Sequence, residues 1–145
     1  LFRSYQLGEF TFIGGELEYN TYAEQIVRRG QPNLKDMHHC TISEASLAKY
    51  TINCFMSTKV IFMNELSELA KTLGCDYTKI ANMVISDSRV GHSHMQVPGP
   101  DGQYGFGGMC FPKDTAALLS IAKQCNVDMS VLSAAVMKNS KLRLT

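Results

Sequence analysis

Apolar residues recur every three or four positions over residues 44–73, and neither proline nor glycine interrupts them. This spacing predicts one long α-helix, because side chains three and four positions apart lie on the same face. Thr41-x-x-Glu44 is a capping box that favours a start there, and Gly74 favours an end. Such a helix would be roughly 45 Å long. Its apolar surface is too wide for one side of a monomer, so we expect a homodimer formed through this helix.

The residues before the long helix alternate between apolar and polar types and then change to helical spacing. Residues 10–13 predict a short strand closed by a turn at Gly14-Gly15. Residues 19–29 predict a helix that ends at Gly30. Residues 36–41 predict a second strand. The order strand, helix, strand is typical of an α/β unit, but this segment is too small for a complete dinucleotide-binding fold.

Three shorter helices are predicted after the long one, over residues 76–84, 112–124 and 128–141. Between the first two, residues 91–108 contain two prolines and six glycines and predict a long loop. Loops of this length inside a compact domain are usually functional or disordered. Together the elements predict a mainly α fold, in which a helical domain with one long helix follows a short strand-helix-strand segment.

The glycine-rich loop ends in the sequence Gly105-Phe106-Gly107-Gly108-Met109-Cys110-Phe111-Pro112-Lys113-Asp114. Its glycines would allow a ligand to lie directly against the backbone. Pro112 is favoured at the first position of a helix, which would place Cys110 just outside the N-terminus of that helix. There the helix dipole and the charge of Lys113 would favour the thiolate, the form that acts as a nucleophile. Asp114 adds a carboxylate one turn into the helix. On the chemistry alone, a cysteine packed in the core remains the alternative interpretation.

Composition narrows the classes of function. A formal net charge of +1 provides no broad basic field for nucleic acid, and no apolar run reaches the roughly 20 residues of a membrane span. Five cysteines without close pairs are a poor disulfide framework and are typical of a reducing cytoplasm. His38-His39-Cys40 and His92-x-His94 could suggest a metal, but ordinary polar histidines are the simpler interpretation. We therefore expect a cytoplasmic protein that binds no nucleic acid, membrane or metal. Because the first residue is not Met, we also expect the chain to be a piece of a longer protein.

The ten residues that end at Asp114 resemble the cysteine signature of the UDP-glucose/GDP-mannose dehydrogenase family. Two other stretches agree with this resemblance. Lys49 and Asn53 are four positions apart in a segment that resembles the central helix of the family, and Asp87-x-Arg89 resembles a third motif. Without the cysteine signature, these residues would be read as a solvated polar stripe and a helix C-terminal cation.

The resemblance implies a role for each matched residue. Cys110 would be the nucleophile. Lys49 and Asn53 would be donors that stabilise oxyanions and orient water, and Asp114 would be a charge partner or base. The implied substrate-binding residues are Arg89, which would reach the site of a neighbouring subunit, Tyr104, Gly105, Phe106 and Gly107. Lys113 would lie near the cofactor, NAD. The implied reaction oxidises carbon 6 of UDP-glucose to the uronate in two hydride transfers, through a thiohemiacetal and a thioester on the cysteine.

Two parts of the family pattern are missing from this sequence. No Gly-x-Gly-x-x-Gly follows a strand, and the Pro-Glu-Phe-Leu segment that carries a catalytic glutamate is absent. The resemblance therefore implies that residues 1–42 are the C-terminal fringe of an NAD-binding Rossmann-type domain. Residues 43–145 would be the central helical domain, which holds the catalytic cysteine and forms the dimer. Because NAD would be bound mainly by the missing N-terminal domain, we expect the isolated chain to be inactive.

Two other functions stay open at this point. The long helix alone would suit a non-catalytic helical dimerisation module. A sibling enzyme of the same family would act on GDP-mannose or on a UDP-N-acetyl sugar. Phe111 and the Pro-Gly-Pro-Asp-Gly sequence of residues 98–102 favour UDP-glucose.

Overall fold

The computed structural model describes residues 3–7 and 10–143, with side chains over residues 11–16 and 18–143. This part of the chain contains three strands and five helices. It divides into two compact units, Leu1–Ile52 and Asn53–Thr145. The mainly α fold with a short strand-helix-strand segment is confirmed, whereas the domain boundary between residues 42 and 43 stays a prediction.

The first unit contains a three-stranded sheet. Its strands β1 (Arg3–Leu7), β2 (Phe10–Gly14) and β3 (Asp36–Cys40) lie in the order β1-β2-β3. β1 and β2 are antiparallel, and β2 and β3 are parallel and joined by helix α1 (Leu17–Gly30). The predicted strand-helix-strand segment is therefore present. β1 was not predicted, because its five residues include only two apolar ones.

The parallel strands and the helix between them enclose the core of the first unit. Ile13 of β2 is completely buried. Asn20 of α1 is also buried and donates from Nδ2 to the carbonyl oxygen of Cys40 at 3.2 Å, which ties α1 to the end of β3. A Cβ atom at Gly14 would lie 2.8 Å from the Cβ of Ala45, so the close approach of these two segments requires glycine.

Helix α2 (Ile42–Thr72) is the predicted long helix, and it begins in the first unit and ends in the second. The capping box is formed in both directions, since the N–H of Glu44 donates to Thr41 Oγ1 at 3.2 Å and the N–H of Thr41 donates to the Glu44 carboxylate at 2.7 Å. Gly74 follows the helix with a φ of 69°, the left-handed conformation that commonly ends helices. No helix in the described residues is long and apolar enough to span a membrane.

The second unit adds three helices to the C-terminal part of α2. They are α3 (Tyr77–Val84), α4 (Cys110–Gln124) and α5 (Ser130–Arg143), and their ends differ from the predicted ones by at most two residues. Residues 85–109 connect α3 to α4 without another helix or strand. Two clusters of buried apolar residues hold this unit together, and each joins α2, another helix and one loop residue. Their members are Ile61, Phe106 and Ala135 in one, and Met63, Ala81 and Met95 in the other.

Candidate functional site

Cys110 is the first residue of α4, and its side chain is exposed. We predicted that it would precede the helix, with Pro112 at the first helical position. Instead the helix begins two residues before Pro112, because the first-turn N–H groups have no helical partner and proline can replace one of them. Gly108, with a φ of 74°, lets the chain turn into the helix. The sulfur therefore lies at the positive end of the α4 dipole and is accessible to solvent.

Asp114 lies one turn after Cys110 and is completely buried. Asn53 of α2 donates from Nδ2 to one carboxylate oxygen of Asp114 at 2.5 Å. The ammonium of Lys113 pairs with the other carboxylate oxygen and is itself largely exposed. Cys54 donates from Sγ to the backbone carbonyl oxygen of Asp114 at 3.6 Å. Asp114 is therefore held by α2 one helical turn after Cys110.

Lys49 belongs to the first unit, on the turn of α2 that precedes Asn53. Its Nζ lies 5.0 Å from the centroid of the Tyr50 ring, within the range of a cation–π contact. The spacing of four residues puts Lys49 and Asn53 on the same face of α2. That the amine of Lys49 and the amide of Asn53 act together stays a prediction.

Arg89 is an exposed residue in the segment after α3. Its side-chain nitrogens donate to both carboxylate oxygens of Asp87, and the shortest distance is 2.5 Å. These hydrogen bonds hold the pKa of the Asp87 carboxyl below its usual value and raise that of the Arg89 guanidinium. The side chain is 87% exposed. The role of Arg89 at the site of a neighbouring subunit stays a prediction.

A cleft of about 500 Å³ lies in the second unit, beside the glycine-rich loop. Gly105, Phe106 and Gly107 line it, and so does Phe111; that these residues bind a substrate stays a prediction. Tyr104 was predicted with them, but its side chain is 52% exposed and lies outside the lining of the cleft within the described residues. The other lining residues come from α2, the loop and α5, and are Val60, His92, His94, Met95, Gln96, Gly99, Pro100, Asp101, Gly108 and Arg143.

Lys59 of α2 binds the backbone of residues 90–93, where the loop between α3 and α4 approaches α2. Its ammonium donates to the carbonyl oxygens of Val90, Gly91 and Ser93 at 3.0, 3.1 and 2.6 Å. The residue is 8% exposed, and this burial lowers the pKa of the ammonium. Partial burial, together with the charge of Lys59, also lowers the pKa of the His94 imidazole. We did not predict this role, because nothing in the spacing of the sequence indicates which backbone carbonyls a lysine will reach.

Two asparagines hold the end of the loop. Asn64 of α2 accepts from the backbone N–H of Gly105 at 3.0 Å, and Asn139 of α5 accepts from the N–H of Phe106 at 2.7 Å. The Asn64 amide is fixed in turn, since its Nδ2 donates to the carbonyl oxygen of Val60 at 2.7 Å. Asn64 belongs to the stretch of α2 that resembles the family, whereas Asn139 lies outside every motif that we recognised.

The histidines do not form a metal centre in the part of the chain that the structure describes. Across residues 3–7 and 10–143, no group of three or more His, Cys, Asp or Glu side chains is placed to hold a metal ion. His39 instead lies 2.7 Å from a carboxylate oxygen of Glu24, measured from Nε2. The ring of His94 lies against Phe111, with 5.4 Å between the centroids. These histidines take part in polar and aromatic contacts of the fold.

Comparison with known proteins identifies the same family that the sequence motifs resemble. The family model described as "UDP-glucose/GDP-mannose dehydrogenase family, central domain" matches residues 43–141. The UDP-glucose 6-dehydrogenase TuaD of Bacillus subtilis is 37% identical over 103 residues, which cover 71% of this chain and 21% of that protein. The UDP-glucose 6-dehydrogenase AglM of Haloferax volcanii is 33% identical over 130 residues, which cover 90% of this chain and 28% of that protein.

A solved structure is similar as well. A UDP-glucose dehydrogenase from the archaeon Pyrobaculum islandicum matches with a TM-score of 0.78 at 29% sequence identity, over 92% of this chain and 29% of that one. This chain therefore spans less than a third of the length of each of these relatives.

Proposed function

This chain belongs to the UDP-glucose/GDP-mannose dehydrogenase family, and from that premise we propose that it is the cysteine-bearing central domain of a UDP-glucose 6-dehydrogenase. The observation that carries the proposal is the contact between Asn53 and Asp114, which places a fixed amide and carboxylate one turn from Cys110. The names of the relatives favour UDP-glucose, while the family description also includes GDP-mannose.

Cys110 is the nucleophile in this proposal. Its thiolate adds to the carbonyl carbon of the carbon-6 aldehyde, a C–S bond forms, and the carbonyl electron pair moves to oxygen. Donors fixed in advance stabilise such an oxyanion better than water does. The amide of Asn53 is held by Asp114, and Lys49 adds a cation to the same face of α2. These two residues would face the oxygen that becomes negative.

Hydrolysis of a thioester on Cys110 would complete the reaction. Water adds to the thioester carbonyl, the C–S bond breaks, and the products are a carboxylate, the free thiol and one proton released to solvent. Asp114 is a buried carboxylate, and it orients the Asn53 amide that in turn positions the attacking water. In this account Asp114 acts as a charge partner, with Lys113 on its second oxygen.

NAD is the hydride acceptor that the family implies. The described sheet has three strands and no Gly-x-Gly-x-x-Gly follows a strand, and on this basis we assign the binding of NAD to another part of a longer protein. We therefore derive no redox step from this chain, and we assign to it the covalent capture and the hydrolysis. Lys113 is exposed at the start of α4, where it could approach a cofactor held by another part of a longer protein.

The substrate would lie in the cleft beside Gly105, Phe106 and Gly107 and extend from it to Cys110, which does not itself line the cleft but follows Gly108 and precedes Phe111, two residues that do. Backbone N–H groups of a glycine-rich segment can bind phosphate oxygens, because no side chain prevents a close approach. Arg89 is exposed and would contact the ligand of a neighbouring subunit.

A homodimer is the second part of the proposal. Phe55, Phe62 and Leu69 are 63, 59 and 53% exposed, and they follow one another at seven-residue intervals along α2. Residues seven apart lie on one stripe of a helix, and a stripe of large exposed apolar side chains is typical of a surface that another chain covers. A non-catalytic dimerisation module would share this stripe, but it would not need the arrangement around Cys110.

Activity measurements test the proposal directly. The purified chain, mixed with UDP-glucose and NAD, should form no NADH, because the proposal assigns the binding of NAD to another part of a longer protein. A longer protein that contains the chain should form the uronate and lose this activity in the Cys110→Ser variant. Cys75→Ser is the matched control, because Cys75 is also exposed but lies outside the site. Unchanged uronate formation by Cys110→Ser would remove Cys110 from the mechanism.

A further inference from the structure

Arg143, near the end of α5, makes three hydrogen bonds to the glycine-rich loop. Its Nη1 donates to Oδ2 of Asp101 at 2.8 Å and to Oε1 of Gln103 at 2.7 Å. Its Nη2 donates to the carbonyl oxygen of Gly105 at 3.1 Å. The planar guanidinium suits this arrangement, because its donors are held in a fixed geometry. One side chain therefore ties together three positions of the loop that lie just before the cysteine.

Asn139 adds a fourth hydrogen bond from the same face of α5, because it lies one turn before Arg143. It accepts from the N–H of Phe106 at 2.7 Å. Arg143 therefore donates to the carbonyl oxygen of Gly105, and Asn139 accepts from the N–H of Phe106, the next residue. Both the acceptor and the donor groups of this short segment have partners from one helix.

Two glycines of the loop are needed to make room for this contact. A Cβ atom at Gly107 would lie 2.8 to 2.9 Å from three atoms of the Arg143 guanidinium. A Cβ atom at Gly105 would collide with Oδ1 of Asn139, and Gly105 also has a φ of 73°. The glycines of the signature therefore serve a second purpose besides ligand approach, which is to let α5 reach the loop backbone.

We propose that Arg143 and Asn139 are positioning residues that fix the backbone of residues 101–107 before a ligand binds, so that Asp101 and residues 105–107 form one wall of the cleft. A wall fixed in advance lowers the entropic cost of binding. Its use by a nucleotide sugar rests on the proposed function, but the fixing of the loop by α5 does not. The ion pair between Asp101 and Arg143 fixes the middle of the segment from residue 99 to residue 105. A turn within this segment is closed by the N–H of Gly99, which donates to the carbonyl oxygen of Gln103 at 2.8 Å.

The test uses the chain itself and measures amide hydrogen exchange at Gly105 and Phe106 by NMR. In Arg143→Met we expect both amides to exchange about tenfold or more faster, while the amide of Ala81 in α3 keeps its rate. Arg143→Lys should give an intermediate rate, because one ammonium cannot reach all three acceptors. Lys141→Met is the matched control on the same helix and should change nothing, since Lys141 is exposed.

A double-mutant cycle separates positioning from general stabilisation. Gly107→Ala displaces the guanidinium from the loop side, so its effect on the Gly105 and Phe106 amides should match that of Arg143→Met. The double variant should be no faster than either single one, because both remove the same contact. If Arg143→Met fails to fold, Asp101→Asn combined with Gln103→Ala tests the same contact from the loop.

A second readout connects the loop to the cysteine. We expect Arg143→Met to slow the alkylation of Cys110 by about threefold relative to Cys125 of the same chain, because a loosened loop lets the first turn of α4 fray. Unchanged exchange and alkylation in Arg143→Met would overturn the proposal, and so would an equal acceleration at Ala81 or strictly additive effects in the cycle. If Cys110 is not selectively reactive in the unmodified chain, the proposed function fails, while the exchange measurement still decides the role of α5.

Discussion

The side-chain amide of Asn53 donates to the buried carboxylate of Asp114 at 2.5 Å, across 61 positions of sequence. This contact joins α2 to the first turns of α4, where Cys110 begins the helix. It also satisfies a carboxylate that is completely removed from solvent. A buried charge without such partners is strongly unfavourable. The contact therefore supports both the stability of the second unit and the placement of the cysteine.

Asn53→Ala should lower the free energy of unfolding by about 2 to 3 kcal/mol, because it leaves one oxygen of a buried carboxylate without its donor. Urea denaturation followed by circular dichroism measures this change. Asn82→Ala is the control, since Asn82 is an exposed residue of α3. Equal stability of Asn53→Ala and Asn82→Ala would show that the contact contributes nothing in solution.

Lys59→Met should destabilise the chain and release the loop entrance. The substitution leaves the carbonyl oxygens of Val90, Gly91 and Ser93 without a buried donor, which should cost about 1 to 3 kcal/mol. The same denaturation measurement applies, with Lys79→Met as an exposed control. A loss of stability in Lys79→Met alone, or in neither variant, would contradict the proposed role of Lys59 in holding the loop.

The strength of the contact between Arg143 and the loop should depend on pH. The hydrogen bond from Arg143 holds the pKa of the Asp101 carboxyl below its usual value. A carboxyl with a lowered folded-state pKa stabilises the fold above its unfolded value, about 4, and loses that contribution as the pH falls through the folded value. Protection factors at Gly105 should therefore be constant from about pH 7 to pH 5 and fall below about pH 4. Asp101→Asn should remove this acid step, and an identical step in that variant would assign it to another group.

Phe62→Glu should convert a dimer into a monomer, because it places a charge in the middle of the exposed apolar stripe of α2. Sedimentation equilibrium at micromolar concentration measures the mass. Met83→Glu is the control, as Met83 is 67% exposed on α3, away from the stripe. A mass of one chain for the unmodified protein would end the dimer proposal.

Local patterns predicted most of the helices. The capping box at Thr41 and Glu44 and the glycine at position 74 are signals contained in a few neighbouring residues, and the observed ends of α2 lie within two residues of the predicted ones. The start of α4 was placed two residues late, because proline is tolerated beyond the first helical position. Local spacing therefore predicts whether a segment forms a helix or a strand better than it predicts the residue at which that element begins or ends.

Contacts between distant residues could not be predicted in this way. Arg143 reaches Asp101 and Gly105 across 42 and 38 positions, and α5 offered no motif that singled it out. The candidate catalytic residues were found because three stretches resembled one family. The residues that hold the loop in place depend on packing in three dimensions, which a single sequence does not contain.

The most direct test of the central claim is the reaction of the purified chain with iodoacetamide at pH 7, followed by mass spectrometry of each cysteine peptide. Cys75 and Cys125 are exposed like Cys110 and serve as internal standards. A nucleophile at the start of α4 should react about tenfold faster than either of them, because its sulfur lies at the positive end of the α4 dipole, which stabilises an attacking anion. If Cys110 reacts no faster than Cys75 and Cys125, the assignment of this cysteine as the nucleophile is contradicted.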